Sequence, residues 1–141
     1  MIDDIYNKDV LRLAANISRV EPLESPDARV ELRAPLCGST IKVDLKIENS
    51  RVTDFGQTIK ACALGQASAS VVAENIIGKS VQEIQAIRDQ MESMLTEDGP
   101  PPGDAWSPLS ALAPAKDAKP RHGAILLPFD AVLKGLGAGM I

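Results

Sequence analysis

Between Ile41 and Glu48 the chain alternates without a break: Ile41, Val43, Leu45 and Ile47 are apolar, while Lys42, Asp44, Lys46 and Glu48 are charged. A period of two places each set on its own face of a pleated strand, so this segment reads as a strand with one face on a core and one in water. Val30 and Leu32 alternate in the same way with Arg29, Glu31 and Arg33. Asn49-Ser50 then forms a tight turn into a third strand, from Arg51 to about Thr58. Connections this short favour an antiparallel meander.

Such a sheet needs helices over its dry face. Apolar Ile5, Val10, Leu13, Ala14 and Ile17 predict an amphipathic helix between Asp3 and Ile17, followed by a loop at Pro22 and Pro26. From Cys62 the residues are Ala, Ser and Gln with Val71, Val72, Ile76 and Ile77, small enough to pack closely on the sheet, and Gly78 stops that helix. Ser80-Val81-Gln82-Glu83 has the form of a capping box, opening a helix that runs through Ile84, Ile87, Met91 and Met94 to about Leu95. The three prolines of Asp98–Gly103 cannot continue it. A short helical piece is expected at Trp106–Leu112, a break at Pro114–Pro120, and a last helix from Phe129 to about Leu136 that starts on Pro128, with a fraying tail from Gly135. The order is α+β: three antiparallel strands with helices on one side, as one domain over residues 1–141.

Composition narrows the function. A net charge of −4 and only 3% aromatic residues leave neither a basic face for a phosphate backbone nor a stacking platform, so no nucleic-acid partner is expected. The longest uncharged stretch, Ala61–Ala73, is interrupted by Gln66, Ser68 and Ser70 and is too short for a bilayer, so no membrane partner is expected. The Met1-Ile2-Asp3-Asp4 start is acidic where a signal peptide is basic, and two cysteines are too few for a disulfide framework. Free thiols in a cytoplasmic protein are the expectation.

Chemical motifs are few. Gly78-Lys79-Ser80 looks like the end of a phosphate loop, but Ala73 stands where its first glycine belongs and helices flank it on both sides. No Gly-x-Ser-x-Gly elbow occurs, and His122 is the only imidazole. The two thiols differ in setting. Cys37 lies in Pro35-Leu36-Cys37-Gly38-Ser39, where Gly38 lets the backbone turn and present a sulfur; Cys62 lies at a helix start, where free N–H groups favour anions. From the residues alone, two partly buried inert thiols serving as small hydrophobes is the favoured reading.

The residues resemble a known family at this point. Pro35-Leu36-Cys37-Gly38-Ser39, the alternating strand, Val52-Thr53-Asp54-Phe55, the run Cys62-Ala63-Leu64-Gly65-Gln66-Ala67-Ser68-Ala69-Ser70 and Gly78-Lys79-Ser80 are similar to the NifU-like iron–sulfur cluster assembly scaffolds of the IscU and SufU types. The segment with Trp106 and the ending Pro120-Arg121-His122-Gly123-Ala124-Ile125-Leu126-Leu127-Pro128-Phe129 look closer to the SufU type. The resemblance implies a SufE/NifU-like sandwich and a scaffold without enzymatic activity. It would bind iron, zinc or a transient Fe-S cluster, take sulfur from a cysteine desulfurase and pass clusters to Fe-S acceptor proteins.

The family pattern uses three cysteines and the aspartate of Cys-Gly-Asp. Cys37 matches the first cysteine and Cys62 the second; Ser39 takes the aspartate's place, Ala124 the third cysteine's, and Gly123 that of a neighbouring histidine. Two thiolates fall short of the four donors a tetrahedral metal takes. His122 is the expected third ligand from this segment. The other expectations are a site completed across a homodimer by four cysteines, a metal-free adaptor that binds a desulfurase, and a sulfur acceptor working through Cys62.

Overall fold

A computed structural model describes residues 5–139. Its sheet has the strands β1 (Ala28–Arg33), β2 (Thr40–Glu48) and β3 (Arg51–Lys60) in the order β1-β2-β3, with both pairs antiparallel. Val30 faces Val43 and Leu45 faces Phe55, so the alternating apolar side chains form one continuous inner face. Asn49 and Ser50 both have positive φ (52° and 62°), the left-handed geometry that lets a two-residue connection follow the strand twist. A bulge where Ile47 follows Lys46 pairs Ile47 with Val52 and leaves Thr53 unopposed. It explains how Val52 and Phe55, three residues apart, are both buried.

The inner face is covered by α2 (Ala63–Asn75) and α4 (His122–Gly139), with α1 (Lys8–Ala15) and α3 (Val81–Glu97) packed against those two. The Ser80 hydroxyl accepts from the Glu83 N–H and the Glu83 carboxylate accepts from the Ser80 N–H, the expected capping box. The same carboxylate accepts from Arg51 at 2.7 Å, tying the start of α3 to β3.

Four expectations need correction. The first helix is shorter than Asp3–Ile17: the Asn7 side chain accepts from the Val10 N–H and starts it at Lys8, and Asn16 ends it; Asp3 lies outside the described residues. The Trp106 segment is a longer 3-10 stretch, Asp104–Asp117, that carries Pro108 and Pro114 inside it. Its Trp106, Leu109 and Leu112 are buried, with the Trp106 ring centroid 6.1 Å from that of Phe129. The last helix begins at His122, six residues before Pro128, and continues through Gly135 to Gly139. Burying Ala124, Ile125, Leu126 and Leu127 outweighs the backbone bond that Pro128 removes. A Cβ on Gly135 would lie 2.6 Å from Leu45 Cδ1, so this glycine belongs to the helix–sheet contact; Met140 and Ile141 lie outside the described residues.

The fourth correction concerns the wet face of the sheet. The segment between α1 and β1 runs over it. The Gln57 N–H donates to the Arg19 carbonyl at 2.8 Å, and the Leu23 N–H donates to Asp44 Oδ2 at 3.0 Å. Arg29 clamps the same carboxylate with two bonds, Nε to Oδ1 at 2.7 Å and Nη2 to Oδ2 at 3.0 Å. Asp44, an expected solvent residue, is therefore only 4% exposed, and the Arg29 hydrogen bonds hold its carboxyl below the usual carboxylate range. At Gly56 a Cβ would meet the Glu21 carbonyl oxygen at 2.2 Å, so the loop fits only against bare backbone.

Two outcomes follow for stability. Gly56→Ala should lower thermal stability by about 1–3 kcal/mol, measured by thermal unfolding, because the Glu21 backbone has to move away. The folded Asp44 value is depressed, so its contribution is present above the ordinary aspartate value of about 3.9 and is lost as pH falls through the lower folded value. Asp44→Asn should flatten that acid limb of the stability–pH curve.

Candidate functional site

Three connections place the site. The β1–β2 turn carries Cys37; it is closed by the Ala34 N–H donating to the Ser39 carbonyl and the Gly38 N–H donating to the Ala34 carbonyl, both at 2.8 Å. Gly38 supplies the positive φ of 74° that this turn needs. As a result Cys37 is exposed while Ser39 is buried. The thiol and the Ser39 hydroxyl are 3.2 Å apart: a Cys37 S–H donates to the oxygen, and a thiolate accepts from it.

Cys62, at the β3–α2 junction, is the N-cap residue of α2. N-caps are usually Ser, Thr, Asp or Asn, whose side-chain oxygens accept from the first turn. Here no side-chain cap bond forms, and the Tyr6 hydroxyl and the Arg121 guanidinium are the groups that feel the charge of the Cys62 sulfur. Arg121 ends a short 3-10 turn, Lys119–Arg121, immediately before α4. Its Cζ lies 5.6 Å from the centroid of the Tyr6 ring, a cation–π contact.

The start of α4 closes the group. Ala124 is fully buried, and its neighbour Gly123 lies against the Cys37 turn, where a Cβ on it would be 3.3 Å from that of Ala34. A Cβ on Gly65 of α2 would be 3.2 Å from the Ala124 carbonyl oxygen and 3.4 Å from its Cβ, so the two helices meet with almost nothing between them. The start of α4 thus packs on the helix that Cys62 opens.

The electrostatics of the group follow from these contacts. Partial burial pushes the Cys37 thiol up, but the Ser39 hydroxyl and the N–H groups of Ser39, Cys37 and Ala124 outweigh it and leave the thiol below its ordinary value. Burial, then the neighbouring Cys62 charge, raises the Tyr6 hydroxyl. The bond to Cys62, then the Tyr6 charge, raises the Arg121 guanidinium.

His122 is placed elsewhere. Its Nε2 lies 2.9 Å from the Ala115 carbonyl, and the ring borders a cavity of about 440 Å³ with Leu95, Thr96, Asp98 and Lys116. The expectation that it supplies a third metal donor is not met by this geometry. Among the described residues, no group of three or more His, Cys, Asp and Glu side chains could hold a metal ion. One chain thus offers two sulfurs and the Ser39 hydroxyl, a poor ligand at neutral pH, where a tetrahedral metal takes four donors.

Tyr6 and Arg121 were not expected at the site. Arg121 carries one sequence signal, its position three residues before Ala124 on what becomes a helical start. Tyr6 carries none, since only the packing of the N-terminal segment brings it to Cys62. Among the described residues, no helix is long and apolar enough to cross a membrane.

Comparison with known proteins identifies the family. The pattern of the family described as NifU-like N terminal domain matches residues 5–112. The iron-sulfur cluster assembly scaffold protein IscU of Thermotoga maritima is 40% identical over 58 residues, 41% of this chain and 41% of that protein. IscU of Streptococcus pyogenes serotype M1 is 30% identical over 66 residues, 47% and 42% of the two chains. The chain thus spans less than half the length of these two curated relatives. Among solved structures, a nitrogen-fixing NifU-like protein (N-terminal) from Brucella abortus superimposes with a TM-score of 0.94 at 46% identity, covering 99% of this chain and 96% of that one. A putative iron-sulfur cluster assembly scaffold protein for the SUF system from Fervidobacterium islandicum AW-1, at 22% identity and a TM-score of 0.83 over 95% and 98% of the chains, has the same fold. With this fold, a sheet turn and a helix start that each present a cysteine, and a family match over most of its length, the chain belongs to the NifU-like N-terminal domain family.

Proposed function

We propose that this protein is a non-enzymatic scaffold of iron–sulfur cluster assembly whose cargo-handling groups are Cys37 and Cys62. The observation that supports the reading is that the start of α4 lies against both thiol-bearing segments: a Cβ on Gly123 would be 3.3 Å from that of Ala34, which closes the Cys37 turn, and Ala124 meets Gly65 in the first turn of the helix that Cys62 opens. The cargo is iron with sulfide, or zinc in its place, and two thiolates hold it only when further donors arrive from outside the chain. A second copy supplies two more cysteines, so the cargo-bearing form is a cluster-bridged homodimer. Exposure of Cys37 at the tip of its turn, beside Leu36 at 81% exposure, leaves room for that approach. Two free thiols suit a reducing compartment such as the cytoplasm.

Anaerobic reconstitution with iron and sulfide tests this. The expected product is a coloured dimer by absorption and native mass, lost in Cys37→Ser and in Cys62→Ser; a colourless monomer from the unmodified protein overturns the reading.

A second reading is favoured by the Cys62 thiol, which forms no disulfide and stands at the N-cap of α2. In it the protein accepts sulfur without metal: the Cys62 thiolate attacks the outer sulfur of a cysteine desulfurase persulfide, one S–S bond forms as the other breaks, and the desulfurase leaves as a thiolate. No external oxidant is needed. Incubation with a desulfurase and cysteine should then give a gain of one sulfur on Cys62 by mass spectrometry, absent in Cys62→Ser. If the unmodified protein gains no sulfur, this reading fails and a metal-free adaptor that only docks a desulfurase is left.

A further inference from the structure

We propose that the outer face of the sheet, at the end that carries the Cys37 turn, is a docking surface for an acidic protein segment, which Arg33 and Lys60 orient so that a sulfur of the partner comes down on Cys37. This inference rests on the reading of Cys37 as a cargo thiol.

Strand register sets the surface out row by row. Leu32, Ile41 and Ile59 belong to the core, so their neighbours Arg33, Thr40 and Lys60 point to the outer face. Arg33 pairs with Thr40 and Thr40 with Lys60, which puts the two cations in one row across three strands, about 10 Å apart at the backbone. Both are exposed. The next row on this face holds Glu31, Lys42 and Thr58, and there Lys42 Nζ lies 4.0 Å from Glu31 Oε2. In the row after that, Arg29 is tied to Asp44. These two rows are balanced by their own ion pairs. The row at the thiol end is not: among the described residues, neither Arg33 nor Lys60 has a carboxylate within ion-pair distance.

The unbalanced charge also reaches the turn itself. A Cβ on Gly38, the residue after Cys37, would lie 3.7 Å from Arg33 Nη2, and the Cys37 thiol is exposed beside it. The whole chain carries a net charge of −4, so its average surface repels an acidic partner. Within the screening distance of about 8 Å at physiological ionic strength, local charge decides instead. Charge complementarity of this kind steers encounter and fixes orientation more than it adds affinity. A row with only two cations and no aromatic ring suits an acidic protein segment better than a run of nucleic-acid phosphates. Exchange with Cys37 further requires that the segment carry a cysteine.

Short peptides test this. Each has one cysteine activated as its 2-pyridyl disulfide, and they differ only in whether glutamate, serine or lysine flanks it. The Cys37 thiolate attacks the peptide sulfur, the mixed disulfide forms and pyridine-2-thione leaves, and its absorbance gives the rate. Cys62→Ser leaves a single reacting thiol; if that variant does not fold by thermal unfolding, mass mapping of the Cys37 adduct on the unmodified chain gives the same rates. At low salt the glutamate peptide should react about tenfold faster than the lysine peptide, and the ratio should approach one at about 1 M salt. Arg33→Gln with Lys60→Gln should bring the low-salt ratio close to one. Lys134→Gln, which removes an exposed lysine from the second half of α4, should leave it unchanged. Comparing peptides within one variant cancels any change in the thiolate population.

Equal rates for all peptides at low salt overturn the proposal, as does a preference that the double substitution leaves intact or that Lys134→Gln reduces as much. A DNA duplex that shields Cys37 while the peptides react alike also overturns it, because the face would then serve a polyanion. A cluster formed on reconstitution together with equal peptide rates leaves the scaffold reading standing and removes only the docking surface. The glutamate preference together with neither cluster nor sulfur gained does the reverse.

Discussion

The rest of the structure depends on the close approach of α2 and α4 at Gly65 and Ala124. No side chain separates the helices there; a Cβ on Gly65 would lie 2.8 Å from that of Ala61 and 3.2 Å from the Ala124 carbonyl. One turn further along, the Ser68 hydroxyl donates to the Ile125 carbonyl at 2.6 Å in the fully buried interior. Cys62 stands at the start of the first of these helices, and the start of the second lies against the turn that carries Cys37, where a Cβ on Gly123 would be 3.3 Å from that of Ala34. Helix packing thus places the two segments that carry the thiols. Packed interiors do not deform continuously, which makes such a contact a firm ruler.

Around that ruler the chemistry is uneven. Two sulfurs and one hydroxyl are fewer donors than the four a tetrahedral ion takes. Ser39 adds a hydroxyl that suits a thiolate as a hydrogen-bond donor better than it suits a metal as a ligand. The first turn of α4 supplies backbone N–H groups where a third sulfur would stand in the family pattern.

Most of what was legible in the sequence is local. The alternation of Ile41–Glu48 gave β2 its inner face, Ser80 and Glu83 gave the cap of α3, and Asn49-Ser50 gave the turn, because each depends on neighbours within a few residues. The burial of Asp44 was not legible, since it needs Arg29 and the backbone at Leu23 to arrive from elsewhere. Pro128 was misleading: the local rule starts a helix at proline, and the buried run Ala124–Leu127 extends the helix back past it. His122 drew attention as the lone imidazole, yet successive helical residues point about 100° apart. Arg121 and Ala124, three residues apart, reach the thiols, and His122 turns to the Ala115 carbonyl.

Pro128 has a further consequence. It has no N–H, so the carbonyl of Ala124 lacks the helical donor it would otherwise meet four residues on. The opening turns of α4 are joined to the body of that helix by one backbone bond fewer. Just past that gap, Ser68 fastens the Ile125 carbonyl to α2. That hydroxyl and the bare contact between Gly65 and Ala124 hold the start of α4 from the neighbouring helix, so its position is fixed by α2 as much as by its own backbone.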